Sequence, residues 1–465
     1  MNPNTEAPAA TVQGSVDTAA SGNSSPFALL RQRRFGPLFI TQFLGAFNDN
    51  AYKNTLVVLF TFNAAAWTGM KAEVLVNLVL GLLMLPFFLF SATSGQLADK
   101  FDKARLARWV KALEILIIAV AALGFWLHSL AVLLGALLLL GLHSALFGPI
   151  KYAILPQHLQ PMELVAGNAL VEAGTFVAIL LGTLSGGLLA GMERGIPWII
   201  SICLLAACLG FYSSCRIPSA PAPMPELKIS FNPLRESWRC IGFARQERSV
   251  FLAILAASWF WLYGGVLLTQ VPAYTKTVLG GNENGVTLLL VVFCVGIGLG
   301  SLLCERLTHR SGKPVEPGLV PIGALGMLLF GLDLAFATPV QPFGTDLPVS
   351  VLLGQFSTWR VLCDLLLLST FGGLYFVPLY ALIQQRSNPK HRARVIAANN
   401  IINALFIVVG SLCAGAFLGS SAGTIPTLFL WLSLAHAGIT VYVFSVIPEF
   451  LIRAMNWLGW RKRQS

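Results

Sequence analysis

The chain repeatedly offers apolar runs of about 20 residues, the length a helix needs to cross the hydrocarbon core of a bilayer. Allowing for loops, the sequence predicts twelve spans, at 35–62, 74–94, 106–127, 131–153, 165–190, 196–212, 250–272, 286–304, 319–336, 360–383, 395–417 and 425–446. Inside a membrane every backbone amide and carbonyl must be satisfied within the protein, so this pattern predicts an all-α integral membrane fold. Only 11% of the 465 residues are charged and 56% are hydrophobic, against about 25% charged in a typical soluble domain.

The spans divide into two sets of six. The break at 213–249 carries a proline cluster (Pro218, Pro221, Pro223, Pro225), and its Phe231–Arg248 part reads as a helix lying on the membrane surface. The expected organisation is a disordered cytoplasmic tail at 1–30, six-helix bundles at 31–212 and 250–447 joined by a cytoplasmic linker, and a basic cytoplasmic tail at 448–465. The first residues lack the basic start and apolar stretch of a cleavable signal peptide. With the N-terminus placed inside, 26 of the 31 Lys and Arg residues fall on the inner side, which predicts cytoplasmic termini. The formal charge of +11 is thereby explained as a topology signal, with no nucleic acid needed. The eight cysteines are scattered without a CxxC pair and read as small buried hydrophobes. No metal or cofactor is expected.

The halves resemble each other. Tyr152-Ala153-Ile154-Leu155-Pro156-Gln157 matches Tyr380-Ala381-Leu382-Ile383-Gln384-Gln385. Close by, Val165–Ala173 matches Ile396–Ala404 at nearly the same offset. Duplication of a six-helix unit is common in transporters, whose substrate site lies where the repeats meet.

Charges inside the bilayer are costly, about 2.5–3.5 kcal/mol each on insertion scales, and usually face a cavity or a partner. The first span carries Asn48, Asp49, Asn50 and Lys53 near its middle. Asp49 and Lys53 are four residues apart and share a face, so they can partly neutralise each other or receive the two charges of a zwitterion. The fifth and eleventh spans carry Asn168 with Glu172, and Asn399, Asn400 and Asn403, which either line a pathway or glue the bundle by hydrogen bonds. Lys151, at the inner end of the fourth span, reads equally as a phosphate attractor or a topology anchor. Glu114, His143, Asp333, Asp364 and His436 stand isolated and read as satisfied structural groups. Gly182, Gly186, Gly187 and Gly191 permit close helix packing.

After the second span stands Gly95-Gln96-Leu97-Ala98-Asp99-Lys100-Phe101-Asp102-Lys103-Ala104-Arg105. This resembles the G-x-L-A-D-R-x-G-R-K signature of the major facilitator superfamily, with Asp102 in place of the second Gly and Ala104 in place of the last base. The resemblance implies two pseudo-symmetric six-helix bundles and a gate. Asp99, flanked by Gly95, Lys100 and Lys103, would hold the inner side shut against Arg394 and the first amides beyond it. The Arg and Gly-Pro marks of drug–proton antiporters are missing from the fourth and fifth spans.

Further runs narrow the resemblance: Thr41–Asn50, Phe147–Pro156, Gly167–Glu172 and Arg392–Asn400 are similar to those of the lysophospholipid transporter group, which includes transporter portions of acyltransferase fusions. It implies lysophosphatidylethanolamine-like lipids carried from the outer to the inner leaflet of a bacterial inner membrane for reacylation, with membrane lipids as surroundings. No His-x4-Asp acyltransferase signature is present, so a separate acyltransferase or acyl-carrier-protein ligase would do the acylating. The head group is expected at Asp49 and Lys53, its chain along the interface of the halves. The competing readings are a proton-coupled exporter of drugs or other amphiphiles working through Asp49 or Glu172, and a non-transporting scaffold for an acyltransferase. No nucleophile–base or metal constellation suggests an enzyme.

Overall fold

The computed structural model describes residues 25–337, 346–421 and 423–457. These residues are helical apart from loops and one isolated bridge between Gly281 and Leu347. The helices are α1 (Gly36–Asn63), α2 (Ala72–Lys100), α3 (Lys103–Trp126), α4 (Leu130–His158), α5 (Leu164–Ala190), α6 (Gly195–Ser214), α7 (Pro233–Arg245), α8 (Arg248–Thr277), α9 (Glu283–Arg310), α10 (Leu319–Phe336), α11 (Val349–Leu352), α12 (Phe356–Arg386), α13 (Arg392–Leu418), α14 (Ile425–Val446) and α15 (Pro448–Trp457). Among the described residues, eleven are long and apolar enough to cross a membrane. The remaining long helix, α1, has 28 residues, about 42 Å at 1.5 Å each, but the polar run Asn48–Asn54 dilutes its apolar character. The chain is a multi-pass membrane protein of two six-helix bundles, α1–α6 and the six long helices from α8 to α14.

The bundles meet along α2 against α13 and α5 against α9. Within the first bundle, Gly182 and Gly186 of α5 lie against the backbone of α1. A Cβ on them would stand 2.5 Å from the Phe47 carbonyl oxygen and 2.3 Å from that of Ala51. This is the small-residue packing expected where no hydrophobic force drives helices together in lipid.

Several helices outrun their apolar stretches. The second span was expected to stop at 94 and the fourth at 153, yet α2 and α4 run to Lys100 and His158. A helix continues wherever its backbone bonds close, whether or not the side chains are apolar. Gly95–Lys100 is therefore the last part of a helix and not a loop. Asp102 caps α3, accepting from the Arg105 amide at 2.9 Å. Its other oxygen accepts from the Ser219 hydroxyl at 2.6 Å and the Ala220 amide at 2.9 Å. Burial alone would raise the Asp102 pKa, but these donors hold its carboxyl below the usual carboxylate range.

The linker thus lies across the end of the first bundle, here called the linker side. Its helix α7 turns Glu236, Cys240 and Ala244 inward and leaves Leu234 and Trp238 exposed, the two-faced pattern of an interfacial helix. Pro26–Arg31 forms a short 3-10 helix with Leu29 buried, while residues 1–24 of the expected tail lie outside the described residues. So do 338–345 of the long loop and 458–465 of the basic tail. Helix α15 packs with Phe450 and Ala454 buried.

Candidate functional site

A cavity of about 260 Å³ opens where the halves face each other, lined from α1, α2, α4, α5, α8, α12 and α13. Asp49 stands in its wall about 20 Å along α1, near the middle of a bilayer. The Ser144 hydroxyl donates to Asp49 Oδ2, while Asp49 Oδ1 is buried with no hydrogen-bond partner among the described residues. Lys151 also lines the cavity. Its ammonium lies 4.8 Å from the Tyr152 ring centroid and makes no ion pair or hydrogen bond to a described residue. Asp49 and Glu172 are its acidic neighbours. Asn50, Asn400 and Asn403 complete the polar lining, and Met84, Phe87, Phe147, Ile179, Trp261 and Ile407 supply an apolar wall.

The other expected site residues fall elsewhere. Lys53 is outside the lining and donates to Asn50 Oδ1 at 2.8 Å instead of meeting Asp49, whose Oδ2 accepts from Ser144. Asn48 turns away from the cavity into a buried charge cluster. Its amide donates to Glu114 Oε1 at 2.7 Å and to the Cys203 carbonyl at 3.1 Å. Glu114 Oε2 pairs with Lys111 and lies 3.4 Å from His143 Nε2. Glu114 and His143 are therefore not isolated, and Lys111, one of the 26 basic residues counted to the inner side, is fully buried inside α3. The cluster ties α1, α3, α4 and α6 together, and it touches the cavity through His143, 3.5 Å from Ser144 Oγ. Burying these charges is tolerable only because each has an opposite or polar partner.

In the second half, Asp333 is likewise not isolated. Arg360 holds it with two hydrogen bonds, one of 3.0 Å, and Asp364 stands beside them. His436 fits the satisfied reading: Trp259 Nε1 donates to it at 2.9 Å and its other nitrogen is 2.9 Å from the Ala324 carbonyl.

The residues repeated between the halves converge beneath the cavity. Tyr152 and Tyr380, matched by the internal repeat, place their ring centroids 4.3 Å apart. Asn168 donates to Gln384 Oε1 at 2.6 Å and receives the Gln384 amide at 3.1 Å, while Gln384 also donates to the Tyr152 carbonyl at 3.2 Å. Asn399 donates to the Tyr380 hydroxyl at 2.8 Å, and Asn403 accepts from Ser258 at 2.6 Å. Glu172 is buried, and its Oε1 has no hydrogen-bond partner among the described residues. Gln384 is a site residue the sequence reading passed over, although it lies within the repeat.

On the linker side, Asp99 and Arg394 form a buried ion pair at 2.8 Å, and the Ala393 amide donates to Asp99 Oδ1 at 3.3 Å. The acid thus meets Arg394, while the amide that donates to it is that of Ala393, one residue before Arg394 and not one of those beyond it. Arg394 also lies 4.5 Å over Phe243 of α7, whose ring stacks at 4.3 Å on His391. Gly95 permits this closure, since a Cβ there would sit 2.9 Å from both Arg394 Cα and Ala397 Cβ. Lys103 reaches the linker at the Pro221 carbonyl, 3.4 Å away, while Lys100 only stacks near Phe101.

Comparison with known proteins agrees with this architecture. The chain is 29% identical over 365 residues to "Lysophospholipid transporter LplT" of Enterobacter sp. (strain 638), covering 78% of this chain and 81% of that one. It is 28% identical over 456 residues to the protein of the same name from Cronobacter sakazakii (strain ATCC BAA-894), covering 95% and 99%. Among solved structures, it resembles the human organic anion transporter MFSD10 (TETRAN) with a TM-score of 0.68 at 15% identity, covering 88% and 99% of the two chains. It also resembles the MFS transporter FucP in the outward conformation, with a TM-score of 0.65 at 14% identity, covering 89% and 99%. The family profile of the Major Facilitator Superfamily matches residues 38–411. With that match over most of the chain, on two six-helix bundles, the chain belongs to the Major Facilitator Superfamily.

Proposed function

We propose that this chain is a lysophospholipid transporter and not an enzyme, moving a phosphoethanolamine-type single-chain lipid across a bacterial inner membrane. The observation that carries the reading is the cavity itself. It presents an unpartnered carboxylate oxygen at Asp49 and an unpartnered ammonium at Lys151, with an apolar wall beside them. A zwitterionic head group brings an ammonium to the first and a phosphate to the second. Either charge left alone in such a site would be costly, so a ligand carrying both is favoured over one carrying neither. The acyl chain lies along Met84, Phe87, Phe147 and Trp261. Relative to the sequence expectation, Lys151 takes the role given to Lys53. The named relatives support the same substrate class.

In this reading the linker side is cytoplasmic, following the Lys and Arg distribution, and both termini lie there. The closed Asp99–Arg394 gate then leaves the cavity to the outer leaflet, and transport runs inward to a separate acylating enzyme. Spheroplasts offered labelled lysophosphatidylethanolamine test this. Conversion to the diacyl lipid is expected only in cells containing the chain, and equal conversion in cells lacking it would refute both the substrate and the direction.

A further inference from the structure

Between the cavity and the Asp99–Arg394 pair lies a second layer of contacts between the halves. Tyr152 and Tyr380 both line the cavity floor, and Asn168 with Gln384 follows directly beneath. Asn168 is about 6 Å from the start of α5, and Gln384 about 3 Å from the end of α12. All four side chains are buried. Each contact crosses from one half to the other, so none can survive separation of the halves on this side.

We propose that the Tyr152–Tyr380 ring pair and the Asn168–Gln384 amide clasp form an inner gate, distinct from the Asp99–Arg394 pair, that separates the cavity from the linker side. The chemistry suits a gate that must open often. A reciprocal pair of neutral amides satisfies buried donors and acceptors while closed, yet leaves no bare charge when parted. The clasp is also one-sided. Asn399, the repeat equivalent of Asn168, finds Pro156 at the position equivalent to Gln384, so no second amide pair is available. Asn399 bonds Tyr380 within its own half, and its neighbour Asn400 lies against Gly148 of α4, where a Cβ would meet the Asn400 amide at 2.6 Å. The releasable bonds therefore run from α12 to α5 and to the Tyr152 carbonyl of α4, and the α4–α13 contact is a close steric fit. The inference requires alternating access but no particular substrate.

The test is a single cysteine at Ala404, which lines the cavity, in a variant whose eight native cysteines are replaced. Vesicles of either orientation are treated with a membrane-impermeant maleimide, which gives a ratio of labelling from the linker side to labelling from the far side. Asn168→Ala is expected to raise that ratio roughly fivefold to tenfold, as loss of two modest hydrogen bonds implies, and Gln384→Ala by at least as much, since it also loses the bond to the Tyr152 carbonyl. The double variant is expected to match Gln384→Ala, because Asn168→Ala removes only bonds across the halves that Gln384→Ala already removes. Tyr152→Ala is expected to raise the ratio, while Tyr152→Phe, which keeps the ring pair, leaves it unchanged. Unchanged ratios in both single amide variants, or additive shifts in the double variant, would overturn the proposal. Because labelling needs no substrate, the outcome is independent of the lysophospholipid assignment.

Discussion

Replacing Gly95 by Ala is expected to open the linker side, and the size of the effect follows from the geometry. The new methyl would sit 2.9 Å from Arg394 Cα, 2.9 Å from Ala397 Cβ and 3.1 Å from the Ala393 carbonyl oxygen. Carbon atoms prefer about 3.5–4.0 Å, and the opposing atoms are backbone or fixed to it, so α2 and α13 must separate by several tenths of an ångström. Overpacking of this kind costs about 1–3 kcal/mol. The cost exists only while the two helices touch. The gain of about 1 kcal/mol from removing a helix glycine is the same in both states and cancels. The closed-to-open ratio should therefore fall roughly fivefold to 150-fold, at 1.4 kcal/mol per factor of ten. Spin labels at the exposed positions Phe101 and Lys390, on opposite halves of the linker side, report the separation. A longer distance population is expected to grow in Gly95→Ala. An unchanged distribution would refute the claim that close backbone approach at Gly95 holds this side shut.

Lys151→Ala is expected to abolish lysophospholipid transport with the protein still inserted, whereas Lys53→Ala, which removes only a bond to Asn50, should slow it moderately; initial uptake rates in proteoliposomes decide between the two lysines. Glu114→Ala leaves Lys111 buried without its partner and is expected to destabilise the first bundle by about 3–5 kcal/mol, read as a lower unfolding temperature in detergent. Replacing both charges with apolar residues of similar volume should restore most of that loss. Asp102→Ala should free the linker, measured as faster limited proteolysis near residues 217–224. Because the folded Asp102 pKa lies below its unfolded value, about 3.9, its stabilisation is complete above that value. It is lost only as pH falls through the folded one, so linker protection should be flat from about pH 8 to 5.

The helices were legible because lipid imposes a length and forbids unsatisfied backbone, and those demands appear as apolar runs. Helix ends were less so: the second run stops where Gly95 begins a polar stretch and the fourth at residue 153, while the backbone bonds continue to Lys100 and His158. The Asp99–Arg394 pair was legible through a motif with a fixed partner. Asp49 was legible as a charge at mid-membrane depth, but its partner was not. Spacing four apart puts Lys53 on the same face, yet it cannot reveal that Ser144, a residue on another helix, donates to the carboxylate while Lys53 turns to Asn50. The cluster of Lys111, Glu114 and His143 was missed for the converse reason. Lys111 sits at a span's edge, where basic residues usually face water, although its spacing of three from Glu114 was the available clue. Gln384 lay inside the internal repeat, but its role depends on Asn168 meeting it across the pseudo-twofold axis, which similarity between the halves does not specify.

The central claim is that a zwitterionic single-chain lipid crosses the membrane through the cavity between Asp49 and Lys151. Purified protein in proteoliposomes, offered labelled lysophosphatidylethanolamine, tests it without any other cellular component. Movement of label to the protected leaflet well above that of protein-free liposomes is predicted for the unaltered chain, and near-background movement for Asp49→Ala and Lys151→Ala. Background movement with the unaltered chain, or full movement with both variants, would contradict it.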